Sequence, residues 1–165
     1  MIGRVPQALR PWLLARGSLT RHLIDTAAGA FRVECVHEAW VAADADAARW
    51  LGVRVGRRLW RREVRLCGTG VPWVEAVTLA TEAACRRLRL QTLGTRALGA
   101  VLYRERGRRA RFALLAPNAM RPWARRTLHV LPGGARLTVQ EAFLPALPAR
   151  RRSFSKARLR PADGS

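Results

Sequence analysis

The sequence predicts an α+β fold, with helices packed on a mostly antiparallel β-sheet. Two helix-forming segments come first, strand-like segments dominate the rest of the chain, and glycine-rich turns separate several neighbouring strands. Strands joined by short turns pair in an antiparallel arrangement. With 165 residues, of which 49% are hydrophobic, the chain is long enough for one domain with a substantial core.

The first third of the chain predicts two helices and a strand. Residues 6–16 indicate a short helix. Ser18 is suited to cap a second helix over residues 18–28. Residues 31–42 alternate between apolar and polar side chains as in a strand, and residues 44–52 indicate a loop or a short helix.

The middle of the chain predicts a β-hairpin followed by a helix. Residues 59–67 and 72–80 are strand-like and flank the turn sequence GTGV. Residues 81–94 then indicate a helix, which Thr81 would cap at its start and Gly94 at its end.

Further strands are predicted in the C-terminal half, at residues 97–103, 110–116, 126–132 and 135–145. The last two flank Pro132-Gly133-Gly134, a typical turn sequence. Residues 1–148 are therefore expected to form a single domain. Residues 149–165 are rich in arginine and poor in core-forming side chains, which predicts a disordered basic tail.

A net charge of +20, nearly all of it from arginine, is compatible with nucleic acid, an anionic membrane surface or an anionic substrate as partner. No helix-turn-helix, zinc-finger or RNP-like aromatic motif is visible, so no specific nucleic-acid binding is expected. The basic tail suggests at most a weak association with an anionic membrane surface.

The cysteines and histidines argue against a metal site. Three cysteines and three histidines are scattered without CxxC or HxxxH spacing, so neither a disulfide framework nor a metal centre is expected. There is no long apolar segment, and a cytoplasmic protein is expected.

Two strands place a charge on an apolar face. In the segment LTVQEAFLP, Glu141 shares a face with Leu137, Val139 and Phe143. In LWRREVRLC, Arg62 shares a face with Trp60, Val64 and Leu66, while Arg61, Glu63, Arg65 and Cys67 are expected to face solvent. Buried charges require a partner or a ligand, because desolvation is costly.

Two interpretations of these charges are open. Arg62 and Glu141 could form a buried salt bridge with each other, and the alternation alone favours this. Alternatively, they lie at opposite ends of a cavity with apolar walls that suit a flat ring. Arg62 would then bind a ligand carboxylate through its two-pronged guanidinium, and Glu141 would accept a hydrogen bond from a ligand hydroxyl.

The order of several segments resembles the chorismate lyase family. The chain contains RPWLLARGSLTRHL, LWRREVRLCGTGVPWVEAVTL, LQTLGTRALGAVLY, RPWARRTLHV and LTVQEAFLPALP, in that order, between about Trp12 and Pro148. Ala97 stands where the family has proline before Leu98-Gly99, a mild departure.

This resemblance implies an enzyme that converts chorismate into 4-hydroxybenzoate and pyruvate for ubiquinone synthesis, without metal or cofactor. It implies an antiparallel sheet whose ligand lies under flap segments. The family's ligand-binding arginine and glutamate match Arg62 and Glu141, and two further contacts match Leu19 and Leu98. Because alternation and resemblance select the same arginine and glutamate, the ligand interpretation is favoured over the salt bridge.

Three further residues are candidates for the site. Thr20 follows Leu19 directly, and Arg125 and Arg126 could attract or cover a dianionic substrate, although at least one of the two is expected at a solvated edge. The chain is expected to act as a monomer. Two routes are open for the reaction: Glu141 or a water acts as general base, or the hydrogen passes within the substrate. A non-catalytic, sensor-like binding domain for aromatic acids is the alternative function, and a basic nucleic-acid-binding protein is a second, less favoured alternative.

Overall fold

The computed structural model describes residues 4–149 and confirms the predicted α+β class. Its elements are, in chain order, α1 (Arg10–Leu13), α2 (Leu19–Ala27), β1 (Arg32–Ala42), α3 (Ala45–Leu51), β2 (Arg58–Gly68), β3 (Val71–Thr81), α4 (Glu82–Leu88), a 3-10 helix (Leu90–Thr92), α5 (Leu98–Arg104), β4 (Arg108–Leu115), β5 (Ala124–Val130) and β6 (Arg136–Phe143). The six strands form one sheet in the order β1-β2-β3-β6-β5-β4, and all neighbours are antiparallel.

Both predicted hairpins are confirmed. Thr69 and Gly70 join β2 to β3, and both have positive φ angles, of 52° and 88°. Two left-handed residues in a row give the turn that matches the twist of the strands. The β5–β6 turn contains Gly133 and Gly134, again with positive φ.

The structure corrects one predicted strand and the extent of two predicted helices. Residues 97–103 form helix α5 instead of a strand, and Leu98, Val101 and Leu102 pack together against the core. Their i, i+3, i+4 spacing is helical, and a short apolar run does not distinguish the helical period from the strand period.

The helix predicted over 81–94 ends at Leu88, because the backbone of Arg89 is left-handed. The first helix covers only Arg10–Leu13, and residues 44–52, expected as a loop or a short helix, contain α3.

The helices lie on both faces of the sheet. Helices α1 and α2 bury Trp12, Leu13, Leu19 and Leu23 against one end of its inner face. Helix α4 and the 3-10 helix pack at the other end with Trp60, Leu88 and Leu137. Helix α3 covers the opposite face, with Leu51 packed against Leu59. The inner face between the two helical groups remains available for a ligand.

Cys67 does not face solvent as predicted, because its side chain is fully buried. A register shift between Leu66 and Cys67 interrupts the alternation of β2, and Arg32 and Glu34 of the neighbouring strand lie beside Cys67.

The expected basic tail falls almost entirely in residues 150–165, outside the described residues. Within residues 4–149, no helix is long and apolar enough to cross a bilayer.

Candidate functional site

A cavity of about 410 Å³ lies between the inner face of the sheet and the segments that begin α2 and α5. Its walls include Val33, Val64, Leu66, Ala76, Val139 and Leu102. The volume falls within the range of about 300–1,000 Å³ that is usual for small-molecule sites. Apolar walls of this kind suit an uncharged ring, so polar groups at the ends would fix the orientation of a ligand.

The strand register sets the spacing of the two inward charges. Arg62 on β2 is opposite Thr78 of β3, and Glu141 on β6 is opposite Ala76 of the same strand. The two residues are therefore two strands and two positions apart, a separation of about 12 Å between Cα atoms. Their partners lie on the outer sides of the pair, with Glu38 on β1 beyond β2 and Arg125 on β5 beyond β6, and the cavity lies over the strands between them.

Arg62 is 2% exposed, and its guanidinium contacts four groups, one of which is Cys35 Sγ at 3.8 Å from Nη1. Its Nη1 contacts the Glu38 carboxylate, its Nη2 donates to Gly94 O at 2.5 Å, and a longer contact of 3.5 Å reaches Arg96 O. Within residues 4–149, its Nε–H donates no hydrogen bond. A carboxylate could therefore accept the Nε–H and replace the long contact to Arg96.

Glu141 is balanced by Arg125, which is also 2% exposed. The Nε of Arg125 donates to Glu141 Oε2 at 2.5 Å, and its Nη1 donates to the carbonyls of Trp12 and Ala15 at 3.3 and 3.2 Å. Arg125 therefore ties the N-terminal segment to the sheet. In the part of the chain that the structure describes, the other carboxylate oxygen of Glu141 accepts no hydrogen bond.

Arg62 and Glu141 thus both line the cavity, and they do not form the salt bridge with each other that was the alternative interpretation. Each has its own oppositely charged partner instead. The partners neutralise the buried charges and hold both side chains in place, so the arrangement resembles a prepared binding site more than a structural ion pair.

Leu19 and Leu98, the two further ligand contacts expected from the family resemblance, lie over the cavity at the starts of α2 and α5. Each is the first residue of its helix, so its N–H lacks an intrahelical acceptor. The segments meet at Gly99, where a Cβ atom would lie 2.9 Å from Ser18 Oγ and 3.2 Å from Thr20 Oγ1. Glycine therefore allows their close approach, and Thr20 also lines the cavity.

Arg126 does not line the cavity. It points to the opposite face of the sheet, where it contacts Asp46 at 2.5 Å and Gln140 at 2.8 Å. Arg126 lies on the outer face of the internal strand β5, with its side chain 21% exposed, while Arg125 lines the cavity. Successive residues of a strand point to opposite faces, which explains the difference.

Among the cavity residues that the sequence analysis did not single out are Arg109 and His129. They are register partners on β4 and β5. His129 follows Thr127 and Arg125 at intervals of two residues along β5. This alternation could have placed all three side chains on the same face of the strand. Arg109 was hidden because a bulge between it and Arg111 interrupts the alternation of β4.

The imidazole of His129 is neutral at physiological pH. Burial, followed by the charges of Arg109 and Arg125, lowers the pKa of His129 to about 4. Its Nε2 lies 3.1 Å from Thr127 Oγ1. Burial also lowers the pKa of Arg109, with Arg125 acting in the same direction and Glu141 opposing it. Arg109 remains a cation at neutral pH.

The sequence is similar to a known family and to named proteins. A family model described as chorismate lyase matches residues 2–153. A probable chorismate pyruvate-lyase of Pseudomonas putida is 36% identical over 87% of this chain and 83% of its own length. One from Pseudomonas aeruginosa, strain UCBPP-PA14, is 37% identical over 88% of each chain.

Solved structures with the same fold include transcriptional effector domains. The effector domain of PhnF from Mycobacterium smegmatis has a TM-score of 0.59 and 19% identity, and it covers 78% of this chain and 89% of its own. The C-terminal domain of a histidine utilization repressor from Pseudomonas syringae has a TM-score of 0.59 and 10% identity, with 74% and 94% covered. At these identities the likeness concerns the fold alone. The family match over nearly the whole chain is the decisive finding: the chain belongs to the chorismate lyase family.

Proposed function

We propose that the protein eliminates pyruvate from chorismate and releases 4-hydroxybenzoate. The observation that carries this proposal is the placement of a buried guanidinium, Arg62, and a partly buried carboxylate, Glu141, at opposite ends of one cavity with apolar walls. The carboxylate and hydroxyl of 4-hydroxybenzoate are para to each other across a flat ring. One cation and one hydrogen-bond acceptor that line the same cavity from different strands are complementary to that pair.

The ring carboxylate would bind at Arg62. Its Nε–H is available, and the carbonyl of Arg96 at 3.5 Å is the weakest of the present contacts to oxygen. Glu38 and Gly94 keep the guanidinium in place while the substrate enters. A charged donor that is already positioned loses little side-chain entropy when the ligand arrives.

The ring hydroxyl would donate to Glu141. Arg125 occupies Oε2 of this carboxylate, which leaves Oε1 to accept the hydroxyl proton in a hydrogen bond. Arg125 is therefore a positioning residue, since it fixes the carboxylate and acts on the substrate through it. Its contacts to Trp12 and Ala15 also connect this end of the site to the segment that leads into α2.

Little chemistry is then required of the protein. Cleavage of the ether bond, with loss of the hydrogen from the carbinol carbon, makes the ring aromatic, and that gain drives the reaction. The protein holds the conformer in which the enolpyruvyl group and this hydrogen are placed for elimination. Thr78 and Val139 contribute the floor beneath the ring and keep water away from it.

An absorbance assay tests this function. Purified protein is mixed with chorismate in a buffer that contains a metal chelator, and 4-hydroxybenzoate and pyruvate are measured separately. Equal amounts of both products, formed in proportion to protein, support the proposal. Saturable binding of chorismate without either product would show instead a non-catalytic binding domain, as in the alternative expected from the sequence.

A further inference from the structure

Chorismate carries a second carboxylate, on its enolpyruvyl group, and neither Arg62 nor Glu141 accounts for it. The enolpyruvyl ether is attached to the ring carbon next to the one that bears the hydroxyl. A hydroxyl at Glu141 therefore places the second carboxylate towards that end of the cavity, over β5 and β4, because β5 and β4 follow β6 in the sheet. A cation on one of these two strands could bind it.

Four arginines line the cavity, and two of them have a carboxylate partner. Arg62 pairs with Glu38 and Arg125 with Glu141. Arg96 donates to backbone carbonyls of its own loop at the Arg62 end. Within residues 4–149, Arg109 forms no ion pair, and its contact is with the ring of Phe112, 6.0 Å from the guanidinium.

Arg109 lies where the cavity meets solvent on the edge strand β4. The charges of Arg125 and Glu141 act on it, which places its guanidinium near that end of the cavity. The neighbouring His129 carries no charge at neutral pH and so does not repel an Arg109 cation, and within residues 4–149 Arg109 has no ion-pair partner to displace. An anion that enters here gains a charge-assisted hydrogen bond without breaking an existing ion pair.

We propose that Arg109 binds the enolpyruvyl carboxylate of the substrate and thereby distinguishes the dianionic substrate from the monoanionic aromatic product. This inference rests on the proposed function. It makes Arg109 a residue that determines specificity: it holds the group that leaves, and it makes no contribution to binding once that group has gone. Arg109 therefore contributes to the binding of the substrate and not to the binding of the aromatic product.

The test compares two ligands in three variants. Arg109→Gln removes the charge, Arg109→Lys retains it, and Arg108→Gln removes a matched charge from the adjacent position of β4, which does not line the cavity. KM for chorismate is measured from initial rates, and the Kd of 4-hydroxybenzoate is measured by calorimetry. Arg109→Gln should raise KM about tenfold or more, with the Kd of 4-hydroxybenzoate changed less than about twofold.

Arg109→Lys should recover part of the lost affinity for chorismate, and Arg108→Gln should leave both constants near those of the wild type. Equal losses for both ligands, or equal effects of Arg109→Gln and Arg108→Gln, would overturn the assignment. If the wild-type protein forms no product, the proposed reaction fails, and the Kd of chorismate replaces KM in the same comparison. Failure to bind chorismate at all would overturn both proposals.

Discussion

Arg125 and Glu141 are register partners on β5 and β6, and their side chains meet at 2.5 Å on the inner face of the sheet. The pair is buried at one end of the cavity, and the same arginine also binds two carbonyls of the N-terminal segment. One residue therefore supports both the site and the fold around it.

Replacing Arg125 should destabilise the protein much more than replacing its neighbour. Arg125→Ala leaves the Glu141 carboxylate and two carbonyls without a donor, and should cost about 3 kcal/mol or more of unfolding free energy. Arg126→Ala removes an equal charge from the partly exposed pair with Asp46 and should cost less than about 1 kcal/mol. Urea denaturation measures both. Similar losses in the two variants would contradict the role given to Arg125.

Replacing Arg62 should abolish most of the activity. Arg62→Ala removes the donor for the ring carboxylate, and kcat/KM for chorismate should fall about 100-fold. Arg61→Ala is the matched control, because Arg61 lies on the opposite face of β2 and pairs with Glu63. Arg62→Lys keeps the charge and should fold normally, but it lacks the guanidinium fork and should remain strongly impaired. Near-normal turnover by Arg62→Ala would refute the assignment.

Substitutions of Glu141 separate hydrogen bonding from charge. Glu141→Gln keeps the shape and an acceptor oxygen, whereas Glu141→Ala removes both. If Glu141 binds the ring hydroxyl, the glutamine variant should retain 4-hydroxybenzoate binding better than the alanine variant, as measured by calorimetry. Equal losses would point to a requirement for the negative charge itself or for proton transfer.

The path of the hydrogen can be followed with chorismate that carries deuterium at the carbinol carbon. Because Arg125 balances the charge of Glu141 and occupies Oε2, the structure favours transfer within the substrate over removal by this carboxylate. The hydrogen then passes to the vinyl CH₂ as the ether bond breaks, so the deuterium should appear in the pyruvate methyl group. Mass spectrometry of the pyruvate decides, and complete loss of the label to solvent would support a general base.

His129 should make the ligand-free protein sensitive to acid. Its pKa of about 4 in the folded chain is below the ordinary value, because burial and the charges of Arg109 and Arg125 disfavour the imidazolium. The unfolded chain therefore takes up a proton first as the pH falls from about 6.5 to about 4, and stability is lost in that interval. The contribution of this residue is about 3 kcal/mol.

The measurement is the unfolding free energy of wild type and His129→Gln between pH 7 and pH 4.5. The variant should lose less stability than the wild type over this interval, because glutamine does not titrate, and both should share the losses from other groups. A difference between the two proteins that stays constant with pH would show that His129 does not titrate as described.

The alternation of side chains along single strands was sufficient to place Arg62 and Glu141 on the inner face of the sheet. That information is local, since the backbone of a strand sends successive side chains to opposite sides. The caps and turns were also visible locally, and Ser18 and Thr81 cap α2 and α4 as predicted. The sequence by itself therefore determined the fold class and which faces of these strands are buried.

The partners of the two charges were decided only by the tertiary structure. Glu38 reaches Arg62 from β1 and Arg125 reaches Glu141 from β5, and each pairing depends on strand order and register between distant segments. The α5 helix likewise depends on the core that its apolar side chains contact, because its seven residues have little helical stability alone. Local periodicity sets which way a side chain points, but register and packing set what it meets there.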